Sequence, residues 1–102
     1  MSKFSASDKK PLRSIGHKLS PVVMIADRGL SEGVMTEIDR ALDDHELIKV
    51  KVNIAEPAER RALIDQFCAA HKAQLVQAIG KIALIYRPAK KPNPKLSNLL
   101  RA

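Results

Sequence analysis

The chain has 102 residues, enough for one domain with a modest core and too few for two. Hydrophobic residues make up 45% and charged residues 28%, which is typical of a folded protein rather than a disordered one. The net charge of +7 favours a polyanionic partner, and a single cysteine excludes an intramolecular disulfide. No apolar run is long enough for a membrane span or a signal-peptide core, so we expect a cytoplasmic protein.

The positive charge is concentrated at the two ends of the chain. Residues 1–20 carry a net charge of +4, residues 88–102 carry another +4, and the part between them carries −1. Basic arms around a folded domain favour binding to a polyanion, and solubility alone is the alternative explanation. The predicted organisation is a flexible N-terminus over 1–7, a folded domain over 8–88 and a basic flexible tail over 89–102.

The first part of the chain predicts a helix, a strand and a second helix. Residues 8–18 suit a short helix with Pro11 in its first turn. Residues 22–25 form a short continuous apolar run, which is typical of a buried strand. Apolar residues then recur at helical spacing over 32–44, and Ser31 is placed to cap that helix.

The middle of the chain predicts a half-buried strand and a third helix. Residues 46–53 alternate, so one face is buried while the other, which carries Lys49 and Lys51, is largely wet and basic. Residues 57–72 have the spacing of a helix, and Pro57 suits its first turn. The predicted apolar stripe of this helix consists of Ala58, Ala62, Leu63, Phe67 and Ala70.

The last part predicts a β-hairpin. Strands at 74–79 and 82–87 flank a two-residue turn that begins with Gly80. The resulting α-β-α-β-α-β-β order requires parallel crossovers followed by an antiparallel pair. We therefore predict an α/β fold, a single compact domain in which helices pack on a mixed four-stranded sheet. For the tail, the alternative is a brief helical docking segment that contains Leu96, Leu99 and Leu100.

The loop Ala26-Asp27-Arg28-Gly29 joins the first strand to the second helix. Backbone N–H groups in front of a helix N-terminus suit an anion, and the net charge makes an RNA phosphate the favoured one. Gly29 would let the RNA backbone approach closely, and Arg28 would contact phosphate. The alternative is a tight turn that needs a positive φ at Gly29. Asp27 opposes phosphate binding, unless it pairs with Arg28.

Several segments, in order, resemble a known family. Residues 19–34, 45–51 and 79–87 are similar to the CRM (chloroplast RNA splicing and ribosome maturation) domain, and the chain length is similar to that of its stand-alone bacterial YhbY-type members. The resemblance implies a fold similar to the C-terminal domain of translation initiation factor three. It also implies association with large-subunit precursors and RNA binding through a Gly-x-x-Gly loop, which falls on 26–29, where Ala26 replaces the first glycine.

Further basic residues extend the predicted surface. Lys49 and Lys51 share a strand face, and Lys81 and Arg87 belong to the hairpin. The alternatives are a solvated face for the strand lysines and a strand-edge charge for Arg87. The complete predicted RNA-binding set is Ala26, Asp27, Arg28, Gly29, Lys49, Lys51, Lys81 and Arg87.

Catalysis has little support in the sequence. The three histidines have no metal-ligand spacing, and Cys68 has no CxxC partner, so we predict no metal site, no cofactor and no enzyme activity. Aromatic residues make up only 3%, so recognition should depend on phosphate, ribose and shape. We predict a monomer that binds rRNA in large-subunit (pre-50S) precursors and assists ribosome assembly. The alternative is a module that contacts ribosomal proteins, with basic tails only for solubility.

Overall fold

A computed structural model describes residues 6–26 and 29–100 of the protein. Each predicted element is present, with bounds that agree to within two residues. Of the predicted flexible N-terminus, residues 1–5 lie outside the described part, and the next two belong to the first helix. None of the described helices is long and apolar enough to cross a membrane. The elements are α1 (Ala6–Gly16), β1 (Pro21–Ile25), α2 (Glu32–His45), β2 (Leu47–Val52), α3 (Pro57–His71), β3 (Gln74–Ile79) and β4 (Ile82–Tyr86).

The strands form one mixed sheet in the order β1-β2-β4-β3, which confirms the predicted fold class. β1 and β2 are parallel, and β4 is antiparallel to both of its neighbours. The hairpin turns at Gly80 with φ 56°, a conformation that glycine adopts without a Cβ clash. This topology brings three connections to one end of the sheet, namely the loop after β1, the segment after β2 and the β3–β4 turn.

Helices α2 and α3 cover one face of the sheet and enclose the larger core. Ile48, Val50 and Val52 of β2 point into it, as their alternation predicts. The predicted stripe of α3 is wrong in part, because its three alanines are exposed. The helix instead buries larger side chains, which remove more apolar area from water and recur at helical spacing. They are Ile64, Phe67, Cys68 and His71.

Helix α1 covers part of the opposite face, which corrects the prediction of a largely wet surface there. Leu12 of α1 packs with Leu47, Val76 and Leu84 in a second, smaller core. Leu47 is fully buried although it alternates with the core residues of β2. The sheet is therefore covered near the start of β2 and open towards the end where β2 finishes.

Residues 89–100 contact the fold, which differs from the flexible tail predicted over 89–102. Ser97 is fully buried, and its hydroxyl donates a 2.7 Å hydrogen bond to the Glu46 carboxylate. The same carboxylate accepts from the Ala89 N–H at 2.8 Å. The Asn98 side chain donates to the Leu47 carbonyl at 2.6 Å. These contacts favour the alternative of a docking segment, in which Leu99 packs against the smaller core, but the segment consists of turns and not of the predicted helix.

Candidate nucleic-acid interface

The loop after β1 forms a tight turn. The Gly29 N–H donates to the Ala26 carbonyl at 2.8 Å, and Gly29 has φ 64°. A Cβ built on Gly29 would meet no atom within 4 Å, so the backbone conformation, and not crowding, favours glycine. Asp27 and Arg28, both in the predicted RNA-binding set, lie outside the described residues. The turn therefore fixes the two ends of the predicted loop, Ala26 and Gly29.

The helix behind this loop begins as predicted at a serine cap. The Ser31 hydroxyl accepts from the Val34 N–H at 3.2 Å, and the Ser31 N–H donates to the Gly29 carbonyl at 3.1 Å. The cap satisfies one of the free N–H groups of the first turn and leaves those of Glu32 and Gly33 ahead of it. The positive end of the helix dipole therefore lies beside the loop, although the carboxylate of Glu32 opposes part of its field.

Lys49 and Lys51 lie on the α1 side of β2, so their predicted common face is confirmed. Their surroundings differ. Lys49 is half-buried, and its ammonium donates to the Leu19 carbonyl at 3.0 Å, which anchors the connection from α1 to β1. Lys51 is exposed, two residues closer to the loop end of the sheet. Of the two lysines, Lys51 is the better placed to contact a ligand.

Lys81 lies at the same end of the sheet as the loop. Its carbonyl accepts from the Val52 N–H, and its ammonium donates to the Asn53 side chain at 3.0 Å. The Asn53 N–H in turn donates to the Ile25 carbonyl at 2.8 Å, directly before the loop. Within residues 6–26 and 29–100, neither Lys51 nor Lys81 has a carboxylate at ion-pair distance.

Arg87 lies at the opposite end of the sheet, which separates it from the other predicted contacts. Tyr86, the residue before it, pairs with Leu47 at the start of β2. The Arg87 side chain is only 17% exposed, and its guanidinium contacts Asp39 and Asp43 of α2, each at 2.9 Å. The Arg87 hydrogen bond and charge hold the pKa of the Asp39 carboxyl below its ordinary value. Arg87 therefore joins α2 to the sheet instead of facing the loop.

Comparison with known proteins decides the family. The CRS1/YhbY (CRM) domain matches residues 4–87 of the chain. The protein belongs to the CRM-domain family. A protein of Pseudomonas aeruginosa named as a probable RNA-binding protein is 57% identical over 96% of this chain and 94% of its own length. A Haemophilus influenzae protein named as an RNA-binding protein is 42% identical over 94% of this chain and 97% of its own.

The fold of this CRM domain also matches a solved structure. The solution structure of a hypothetical protein from Staphylococcus aureus has a TM-score of 0.77 and is 32% identical, covering 91% of this chain and 96% of that one.

Ala26 does not prevent the turn in this CRM domain. Among the described residues, only Glu46 and Lys72 combine a side chain with a positive φ, so Ala26 has an ordinary backbone.

The CRM domain also exposes apolar residues that the sequence interpretation missed. The run at 22–25 predicts a buried strand, yet Val22 and Met24 are 49% and 58% exposed. They point to the α1 face beyond the cover of that helix, while Val23 and Ile25 point into the larger core. Ile79, at the end of β3, is 62% exposed. Only the strand order shows that Met24 and Ile79 belong to one face, so no local signal could have found it.

A cavity of about 640 Å³ is lined by Asp39, Asp43, His71 and Arg87, among other residues. His71 Nδ1 lies 3.6 Å from Asp39 Oδ1, and His71 Nε2 is buried without a hydrogen-bond partner. His45 Nδ1 lies 2.8 Å from the Leu96 carbonyl and serves the docked C-terminal segment. Among the described residues, no three metal-ligating side chains are grouped.

Cys68 should be chemically inert in the folded protein. Burial raises the pKa of its thiol to about 12, and the neighbouring Asp65 charge adds to the effect. Since the thiolate is the reactive form, we expect almost no labelling by a chromogenic disulfide reagent at pH 8 and complete labelling in denaturant. Cys68 is the only cysteine, so the signal has one source. Rapid labelling of the folded protein would contradict its placement in the core.

Proposed function

We propose that this chain is a non-catalytic RNA-binding protein that associates with precursors of the large ribosomal subunit and assists their assembly. It would act in the cytoplasm as a monomer, with structured rRNA as its partner. The observation that carries the proposal is the shared sheet end that holds the 26–29 turn, Lys51 and Lys81, where neither lysine has an ion-pair partner among the described residues. Its curated relatives are named as RNA-binding proteins, which supports the same partner.

The proposed mechanism is attraction and positioning of phosphates. The turn and the first N–H groups of α2 would bind one phosphate, and Arg28, proposed on sequence grounds, would contact it. Lys51 and Lys81 would contact neighbouring phosphates along the sheet end, while the basic ends of the chain add non-specific attraction. Arg87 is left out of this surface because α2 holds its guanidinium.

Salt dependence tests the phosphate contacts directly. Replacing Lys51 and Lys81 with glutamine should weaken rRNA binding and reduce the slope of log affinity against log salt by about 0.7–0.9 for each phosphate that the variant no longer neutralises. Lys72→Gln is the control for the loss of one positive charge elsewhere, because Lys72 is an exposed lysine that follows α3, away from the loop. An unchanged slope in the double variant would contradict the proposed surface.

Sedimentation tests the association with precursors. The protein should co-migrate with large-subunit precursors when cell extract is separated on a sucrose gradient, and the Lys51→Gln/Lys81→Gln variant should move to the free fraction. A wild-type protein that stays free would count against the proposal. If the double variant loses RNA affinity yet still co-migrates, contacts to ribosomal proteins provide the association instead.

A further inference from the structure

The sheet carries an exposed row of side chains on the α1 side, beside the loop end. Met24 pairs with Lys51, Lys51 with Ile82, and Ile82 with Ile79, so the row crosses all four strands. Met24 and Ile79 are both more than half exposed. Single exposed apolar residues are ordinary on protein surfaces. Ile79 and Ile82 are adjacent in register and form one apolar patch, which Lys51 separates from Met24.

A small cleft adjoins this row. It has a volume of about 250 Å³ and lies between the end of α1 and the β3–β4 hairpin. This is below the range of about 300–1,000 Å³ common for pockets that hold small-molecule ligands. Its lining combines aliphatic side chains with an imidazole, an amide and an ammonium. The lining residues are His17, Lys49, Gln77, Ile79, Ile82 and Leu84.

The charge around the row favours an anionic occupant. The four strands contain Lys49 and Lys51 and not one acidic residue. Lys81 lines a different depression together with Glu56 and Glu59, beside the segment that follows β2. A ligand on this face would therefore meet aliphatic carbon and positive charge together, which suits the flat apolar faces and the phosphates of a nucleic acid.

We infer that this face binds one unpaired nucleotide of the RNA. The inference rests on the proposed function and adds the class of RNA recognised. The base would lie on Ile79 and Ile82 with its polar edge towards Gln77, and its phosphate would contact Lys51. The Met24 thioether, polarizable and attracted to aromatic rings, would contact the same nucleotide from the other side of Lys51. Base pairing would hide the base, so the site selects bulges and loops over uninterrupted duplex.

The test compares two RNAs and three proteins. The RNAs are an rRNA hairpin with one bulged nucleotide and the same hairpin made fully paired. The proteins are the wild type, Met24→Thr/Ile79→Thr, and the control Leu100→Thr. Threonine keeps strand propensity at the exposed sheet positions. Leu100 is 56% exposed and lies outside the sheet, so its replacement removes exposed apolar surface away from the proposed site.

The wild type and the control should bind the bulged RNA about fivefold more tightly than the paired one, which is the effect of removing about 40 Å² of apolar surface from water. The double variant should lose this preference and keep the affinity for the paired RNA. If it keeps the preference, the inference is overturned while the proposed function stands. If the wild type binds neither RNA, both fail. Loss of co-migration with ribosomal precursors at unchanged RNA preference would assign the face to a protein and overturn the inference.

Discussion

Replacing Arg87 with methionine should lower the free energy of unfolding by about 1.5–3 kcal/mol, the range for hydrogen bonds to charged groups, and leave RNA affinity unchanged. Its guanidinium donates to the carboxylates of Asp39 and Asp43 and to the carbonyls of Asp39 and His71. Methionine preserves the aliphatic packing and removes all four bonds. Both carboxylates are more than half exposed, so water replaces part of the loss and the cost stays below that of a fully buried ion pair.

Urea denaturation followed by circular dichroism measures this effect, and Arg61→Met is the matched control. Arg61 forms an exposed ion pair with Asp65 four residues along α3, a type that contributes about 0.3–0.5 kcal/mol. If both variants lose the same free energy of unfolding, the Arg87 cluster stabilises the protein no more than an exposed ion pair does. Loss of RNA affinity without loss of stability in Arg87→Met would instead restore the RNA contact that the sequence predicts for this residue.

The ion pair of Arg87 with Asp39 should also make the stability of the protein fall at low pH. Arg87 lowers the pKa of Asp39 below its ordinary value of 3.8 in the folded protein, so the carboxylate binds protons more readily in the unfolded chain. The stabilisation is complete above that value and is lost as the pH falls through the lowered, folded pKa. The difference in stability between the wild type and Arg87→Met should therefore shrink at low pH. A constant difference down to about pH 2 would contradict this origin.

Local patterns predict most of the fold. Alternation places Ile48, Val50 and Val52 in the core, Ser31 caps α2, and Gly80 turns the hairpin, because each of these signals depends on residues close in sequence. The role of Arg87 escapes such patterns, since its carboxylate partners lie 44 and 48 residues away. The local sequence around a basic residue at the end of a strand does not show whether its side chain faces solvent or contacts an acidic helix.

The candidate site also has a part that the sequence predicts and a part that depends on tertiary packing. Period-2 spacing is sufficient to place Lys49 and Lys51 on one face, and strand-to-helix connectivity is sufficient to place the 26–29 loop before α2. The different surroundings of the two lysines depend on α1, which crosses the sheet above Leu47 and brings the Leu19 carbonyl to Lys49. Helix placement on a sheet is decided by tertiary packing, which no single segment encodes.

Replacing Glu46 with alanine should lower the free energy of unfolding by about 1–3 kcal/mol, because its buried carboxylate accepts from the Ser97 hydroxyl and the Ala89 N–H. Without it, the fully buried Ser97 loses its acceptor, and residues 89–100 should detach from the fold. Trypsin then gains access to Lys90 and Lys95, whereas Lys91 precedes proline and resists cleavage. Limited proteolysis with mass spectrometry therefore measures the detachment separately from global unfolding.

Two further variants distinguish the effect of the Glu46 carboxylate from the effect of its backbone conformation. Glu46 has φ 63°, so Glu46→Gly relieves backbone strain while it removes the same two hydrogen bonds, and it should unfold less readily than Glu46→Ala yet expose Lys90 and Lys95 equally. Glu46→Gln keeps an oxygen for Ser97 but can turn an amide donor towards the Ala89 N–H, so its effect should be intermediate. Unchanged cleavage in all three would show that the tail is held by Asn98 and the apolar contact of Leu99 instead. If the glycine and alanine variants detach the tail and also weaken rRNA binding, Glu46 holds the basic C-terminal segment where it adds to the phosphate contacts.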